Sequence, residues 1–305
     1  MDAYLSSAAT AKFDGPPVLV VASSDAAMSR AETTILDGGL RVGAKLPLED
    51  ATKRIALQPA ATAVWLELDK DCGGPLDELL DVIARDVRDH RYAAVVSTDV
   101  AMLDVVAARI DETCVEIIVN ADDAERAAAI PLAVASRTWA ERYADVASDK
   151  NAERLRQLSE EVGRIASTLA RLSAGPGASR PTLTPMPAGD IPPLSADTVR
   201  NVIRARRTRA RYFSEELFAD PAWDMLLDLL QAEIAQLRVP VSSLCIAAAV
   251  PATTALRWLK TLVSQGLFIR RADPHDGRRV FVELAPETSQ ALRRYFAEIG
   301  PVAVI

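Results

Sequence analysis

Three kinds of patterning follow one another along the chain. Over residues 16–130, short continuous apolar runs alternate with segments of helical period. The runs are "PPVLVVASS", the weaker "RVGAKL", then "ATAVWLEL", "YAAVVST" and "VEIIVN". Between them lie "DAAMSRAETTILDGGL", closed by Gly38 and Gly39, and helical patterns over residues 47–57, 76–89 and 102–110. Continuous apolar strands that alternate with helices predict a parallel sheet covered on both faces. Five such units in about 120 residues predict a compact doubly wound α/β fold.

The second pattern is a seam. Leu155, Leu158, Val162, Ile165, Leu169 and Leu172 recur at alternating spacings of three and four, with Arg156, Gln157, Glu160, Glu161 and Arg171 on the outer positions. This reads as a helical dimerisation segment over residues 131–173, although a helix packed on its own domain has the same pattern. The segment "AGPGASRPTLTPMPAGDIPPLS", residues 174–195, has no apolar periodicity and is rich in Pro and Gly, so it reads as a linker.

The third pattern, over residues 196–305, is helical and then mixed. "ADTVRNVIRARRTRARYF", "PAWDMLLDLLQAEIAQL", the short "VSSLCIAAAV" and "PATTALRWLKTLVSQ" read as helices, the last between Pro251 and Gly266. "LFIRR" and "RRVFVEL" read as strands around "ADPHDG", and "PETSQALRRYFAEI" as a final helix. The domain boundaries expected are therefore 1–130, 131–173, 174–195 and 196–305.

Composition narrows the function. Half the residues are apolar and a quarter charged, as in ordinary globular chains. No apolar run approaches the length of a membrane span, and the N-terminus lacks a basic stretch with an apolar core, so a cytoplasmic protein without membrane contact is expected. Cys72, Cys114 and Cys245 are widely spaced and read as reduced residues; His90 and His275 are too few for a histidine metal centre. Gly-rich phosphate loops and the common hydrolase motifs are absent from the sequence, which weighs against an enzyme or nucleotide binder; no cofactor and no metal are expected. Charge is uneven: 15 Lys+Arg stand against 26 Asp+Glu in residues 1–150, but 15 against 12 in residues 195–305. That sign change points to modules with different partners.

The candidate chemistry lies in "VSSLCIAAAVPATTALRWLKTLVSQGLFIRRADPHDGRRVFVEL". Two short helices joined by a tight turn and followed by a hairpin describe a winged helix-turn-helix, whose second helix enters the major groove by its N-terminal part. Thr253, Thr254 and Arg257 occupy that leading part, where hydroxyls meet phosphates or base edges and Arg forks onto guanine. Lys260 sits nearer the middle, suited to a phosphate. Leu256, Leu259, Leu262 and Val263 make the inward face, and Trp258 reads as core or dimer-side packing. Arg270, Arg271, Arg278 and Arg279 flank the "DPHDG" turn, either as a wing that reaches the minor groove or as a solvated charged hairpin. Upstream, Arg200, Arg204, Arg206, Arg207, Arg209 and Arg211 track phosphates, pair with the acidic N-terminal module and hold the chain closed, or form a solvated face.

On these segments, residues 220–298 resemble a MarR-type winged-helix regulator. The resemblance puts Thr253, Thr254 and Arg257 on recognition-helix positions and Arg278 on the wing arginine, which it implies bridges to Asp276. The chain departs from that family in having a single helix after the wing and a separate N-terminal module. That module, residues 16–130, resembles a response-regulator receiver, a flavodoxin-like fold. The receiver's metal-binding acidic pair is replaced by Ala22 and Ser23 in "VVASSD", its phosphoacceptor by Glu67 in "VWLELD", and its lysine after strand 5 by Asn120; the hydroxyl position is kept by Ser97 or Thr98. A hard divalent cation wants carboxylate oxygens, so phosphotransfer at this place is not expected. Glu67 reads as a strand-end residue facing water or as a fixed imitation of the phosphorylated charge; Asp69 and Asp71 are near enough to serve as other acceptors.

The reading is a fold of α/β plus α+β class: a doubly wound receiver-like domain, a helical dimerisation segment and a winged helix. Its function is that of a dimeric, non-enzymatic transcriptional regulator that binds double-stranded DNA, with a degenerate receiver for dimerisation or for contact with a signalling protein. The rival is an adaptor whose winged helix binds a protein.

Overall fold

The apolar runs of the first module form its strands because each is buried on both faces. β1 (Val18–Ala22) and β3 (Ala63–Glu67) are buried at every position, as is β4 (Ala93–Thr98). With β2 (Val42–Pro47) and β5 (Glu116–Val119) they make a parallel sheet in the order β2-β1-β3-β4-β5. The structure is a computed structural model, and it describes residues 17–57, 61, 63–110, 115–146 and 193–299. Of the sequence-derived features, the leucine seam at Leu155, Leu158, Val162, Ile165, Leu169 and Leu172, the linker up to residue 192 and Cys114 lie outside the described residues.

Two layers of helices cover the sheet. α1 (Asp25–Asp37) and α5 (Asp123–Val146) bury Ala31, Ile35, Ala129 and Ile130 against Val18, Val20, Trp65 and Val95. α2 (Leu48–Ala56), α3 (Gly74–Arg88) and α4 (Val100–Arg109) bury Ile55, Leu79, Leu80, Leu103 and Val106 against Leu19, Val64, Leu66 and Val96. Local chemistry sets the starts. The Ser24 hydroxyl accepts from the Ala27 amide and the Asp99 carboxylate from the Met102 amide, each satisfying an orphan donor. The sheet order reverses between β1 and β3, so a crevice opens at the strand C-termini there, the usual ligand position of such sheets.

The second module begins at α6 (Ala196–Thr208), capped by Ser195 and shorter than its arginine-rich sequence suggested; Arg209–Arg211 tighten into a 3₁₀ turn. Then follow α7 (Pro221–Ile234), α8 (Val241–Ala247), α9 (Ala252–Ser264), the strands β7 (Phe268–Ala272) and β8 (Val280–Leu284), and α10 (Pro286–Ile299). Gly266 turns the chain out of α9 at φ 72°, a conformation that costs a residue with a Cβ. β6 (Val239–Pro240) adds to β8 and makes a three-stranded antiparallel sheet, β6-β8-β7. Sequence patterning misses β6, which is only two residues long and ends in Pro. The helix pair α8–α9 is followed directly by the β7–β8 hairpin.

The described residues up to Val134 and from Pro193 onward pack into one compact unit. A single cluster of buried side chains runs from Leu103 and Val106 to Leu244, Leu256 and Leu259. Trp258 does not join it. It is 39% exposed, which corrects the core alternative of its reading. Among the described residues, no single helix is long and apolar enough to cross a membrane.

Candidate functional site

The leading turns of α8 and α9 and the β7–β8 hairpin form the surface that carries the residues the sequence put forward for DNA. Here that surface faces the α/β module. Thr253, expected at a base edge or phosphate, is 1% exposed. Its Oγ1 accepts a hydrogen bond from the Val119 amide at 3.0 Å, at the end of β5. Thr254 is half-buried on the same turn. The Arg257 guanidinium donates to Glu116 Oε1 at 2.7 Å. Lys260 is half-buried. In this conformation Thr253 is buried against β5, and Arg257, its side chain half exposed, is paired with Glu116 at the start of that strand.

The wing is held in the same way. Arg270 donates to the Ala107 carbonyl near the end of α4. Arg278 donates to Asp71 Oδ1 at 2.6 Å, and its Nε lies 3.1 Å from Asp77 Oδ1 without the alignment of a hydrogen bond. The expected Arg278–Asp276 bridge is not made by the guanidinium. Instead the Arg278 amide donates to Asp276, and the Arg279 guanidinium takes the Asp276 carboxylate at 3.3 Å. Arg271 pairs with Glu283 across the hairpin and stays exposed. The hydrogen bond from Arg278, helped by the Gly73 amide and opposed by slight burial, holds the Asp71 carboxyl below its ordinary value; Asp71 in turn raises Arg278.

A further contact escaped the sequence altogether. At the start of α8, Ser242 donates its amide to Asp104 Oδ1 at 2.9 Å and its hydroxyl to Asp104 Oδ2 at 2.6 Å. Asp77, Asp104 and Glu116 were not singled out, because each looks like one more carboxylate in an acidic half, and Asp71 was noted only as a possible acceptor, not as a partner of Arg278. The arginine helix was expected among other options to pair with that half. Its described contacts are instead within the second module: Arg206 with Asp224 at 2.6 Å, Arg207 with the Ala247 carbonyl at 3.5 Å, and Arg209 over the Phe218 ring.

The crevice at the strand ends is a cavity of about 770 Å³ lined in part by Arg30, Glu67, Asp69, Ser97, Asn120 and Arg126. Glu67 does not face water, as its strand-end position suggested; it is 3% exposed. Its Oε1 accepts from Arg126 at 3.1 Å and Arg30 at 3.3 Å, and its Oε2 from Trp65 Nε1 at 2.8 Å and Arg126 at 2.9 Å. Arg126 also donates to Ser97 and Thr34, and its guanidinium lies 5.4 Å from the centre of the Trp65 ring. Glu67 is thus a carboxylate whose two oxygens are both already engaged. Asp69 is gripped by the Ser23 hydroxyl at 2.7 Å and the Ser24 hydroxyl at 2.5 Å. Burial works to raise it, but those two hydroxyls and Arg30 outweigh burial and leave it below its ordinary value. Among the described residues, no group of three or more His, Cys, Asp or Glu side chains is placed to hold a metal ion.

No protein-family model matches the chain, and a search of curated proteins gives no match either. Among solved structures, a transcriptional regulator from Thermotoga maritima is similar over 34% of this chain and 79% of its own, at 18% identity and a TM-score of 0.21. A similarity of that size adds nothing to the geometry described above.

Proposed function

We propose that this chain is a DNA-binding transcriptional regulator. Duplex DNA is read by the start of α9, with Thr254 and Arg257 toward base edges and Thr253 and Lys260 toward base or backbone, while Arg270, Arg271, Arg278 and Arg279 of the wing meet the neighbouring groove or its phosphates. The observation that carries this reading is the winged-helix arrangement of α8, α9, β7 and β8, with arginines concentrated on its reading face in a chain that is acidic elsewhere. The protein acts as a dimer through the leucine seam, and on a two-fold dimer its site is an inverted repeat. The α/β module is a degenerate receiver: Glu67 and Arg126 fill the phosphoacceptor place, so the module signals by contact rather than by phosphotransfer. Asp69 and Asp71 are not acceptors in this reading, since Ser23, Ser24 and Arg30 engage the one and Arg278 the other; intact-mass analysis after acetyl phosphate and Mg²⁺ is expected to give no adduct. The test of the function itself is a fluorescence-anisotropy titration of the full chain with duplex DNA over a salt series. Binding that weakens steeply with salt, by about 0.9 in log K per log unit of salt for each phosphate contact, supports it. Absence of binding at the lowest salt by both the wild type and a Glu116→Lys variant would refute it and favour a protein-binding adaptor.

A further inference from the structure

The face that covers the winged helix carries the charge of a nucleic acid. Four carboxylates from separate parts of the α/β module reach it. Glu116, at the start of β5, takes Arg257; Asp71 and Asp77, around the start of α3, take Arg278; Asp104 on α4 takes Ser242. A duplex would offer the same groups the same kind of acceptor. Phosphate oxygens accept from helix-start amides, hydroxyls and guanidinium groups, and base edges accept from Arg. Asp104 shows the correspondence most clearly. One of its oxygens accepts the Ser242 amide and the other the Ser242 hydroxyl, two donors of the kind that contact the phosphate oxygens of a duplex. The acidity is a property of the whole half-chain, which carries 26 Asp+Glu against 15 Lys+Arg over residues 1–150.

We propose that this acidic face of the α/β module is an internal stand-in for DNA: Asp71, Asp77, Asp104 and Glu116 occupy the reading surface where a duplex would place its phosphates and base acceptors, so that DNA binds only by displacing it. This rests on the DNA-reading assignment above and adds the partner that competes for the same surface. Apolar packing of α4 against α8 and the Thr253–Val119 hydrogen bond set the register, while the carboxylates make the two occupants mutually exclusive. The observed affinity for DNA is then the intrinsic affinity reduced by the fraction of molecules that are open. Salt has opposite effects on the two steps. It weakens the duplex contacts through counterion release, and it also loosens the carboxylate–arginine pairs that keep the chain closed. The closed wild type therefore has a flatter salt dependence than a variant without the carboxylates.

The test uses the full chain with Asp71→Asn and Glu116→Gln together, and a second variant, Glu116→Lys, that sets a like charge against Arg257. None of these positions is part of the DNA-reading set. The asparagine oxygen still accepts the Gly73 amide that Asp71 holds at 2.8 Å, so the loop before α3 keeps its turn. Two readouts are taken: anisotropy on a labelled mixed-sequence duplex over a salt series, and amide hydrogen exchange of the peptides covering 115–119 and 252–257 without DNA. The expected result is faster exchange in both peptides and an affinity about tenfold higher than wild type at low salt, with a steeper salt slope. Faster exchange in the variants with a DNA affinity equal to that of wild type would overturn the competition and leave the DNA-reading assignment standing. Faster exchange with no DNA binding by any of the three proteins would overturn the DNA-reading assignment, and the proposal with it. Unchanged exchange in Glu116→Lys would show that the carboxylate contacts do not hold the face in place, and would also overturn it.

Discussion

Replacing Glu67 by glutamine tests whether Glu67 and Arg126 form a structural ion cluster. The change keeps the shape and removes one charge. Both glutamate oxygens face donors: Arg126 and Arg30 on one side, Trp65 and Arg126 on the other. Either orientation of the glutamine amide therefore points its NH₂ at two N–H groups, and leaves the Arg126 guanidinium with no anion. The Glu67 side chain is 4% exposed and that of Arg126 12%, so solvent screens little of this. Breaking a buried pair by removing one partner costs about 3–5 kcal/mol. With a urea m-value of about 2–3 kcal/mol/M, the midpoint falls by roughly 1–2 M. The assay is equilibrium urea unfolding followed by circular dichroism and tryptophan fluorescence, with coincident curves required before a free energy is taken. The pair of changes Glu67→Leu and Arg126→Met removes both charges at once, and is expected to recover part of the loss, the buried Trp65 Nε1–H being left without its acceptor. A loss under about 1 kcal/mol for Glu67→Gln would refute the cluster as a buried, mutually dependent set.

Further outcomes follow from the same geometry. Arg257→Ala in a Glu116→Gln background is expected to weaken specific DNA binding by about 1–3 kcal/mol; in the wild-type background the loss is smaller, because the same change also loosens the closed form, and equal losses in the two backgrounds would contradict that coupling. Asp71 lies below its ordinary carboxyl value while Arg278 holds it. Its contribution to closure is therefore complete above the ordinary value near 3.9 and fades as pH falls through the lowered one. Carbon-detected NMR titration should show the Asp71 midpoint rising in Arg278→Ala, and an unchanged midpoint would deny the pair. Gly266→Ala meets no atom within 4 Å but must adopt φ 72°, so a loss of about 1 kcal/mol in thermal unfolding is expected from backbone strain alone.

The alternation of strands and helices was legible because strands buried on both faces leave continuous apolar runs, and these carry their own period. Gly266 and the "DPHDG" turn marked the wing for a similar reason: the backbone there restricts which residues fit. The partners of α8, α9 and the hairpin were not legible. Asp104 is 138 residues from Ser242, Glu116 is 141 from Arg257 and Asp71 is 207 from Arg278, and nothing local selects such pairs. Only the opposite charge of the two halves hinted at them, and it suggested the arginines of α6, which instead tie α6 to α7 and α8 within the second module. Glu67 looked like a water-facing strand end because its counter-charge, Arg126, belongs to the first turns of α5, two strands away in the sheet. Position along a strand predicts which face a residue takes, but not what another element brings over it.

Hydrogen exchange of the full chain with and without bound duplex DNA is the most direct measurement. Free, residues 115–119 and 252–257 should both be protected, since the Val119 amide is bonded to Thr253. When DNA binds, the α9 peptide should stay protected while the β5 peptide loses protection, because the duplex has taken the place of one and covers the other. DNA binding that leaves the β5 peptide as protected as before would mean that the duplex binds elsewhere on the chain, and would contradict the account.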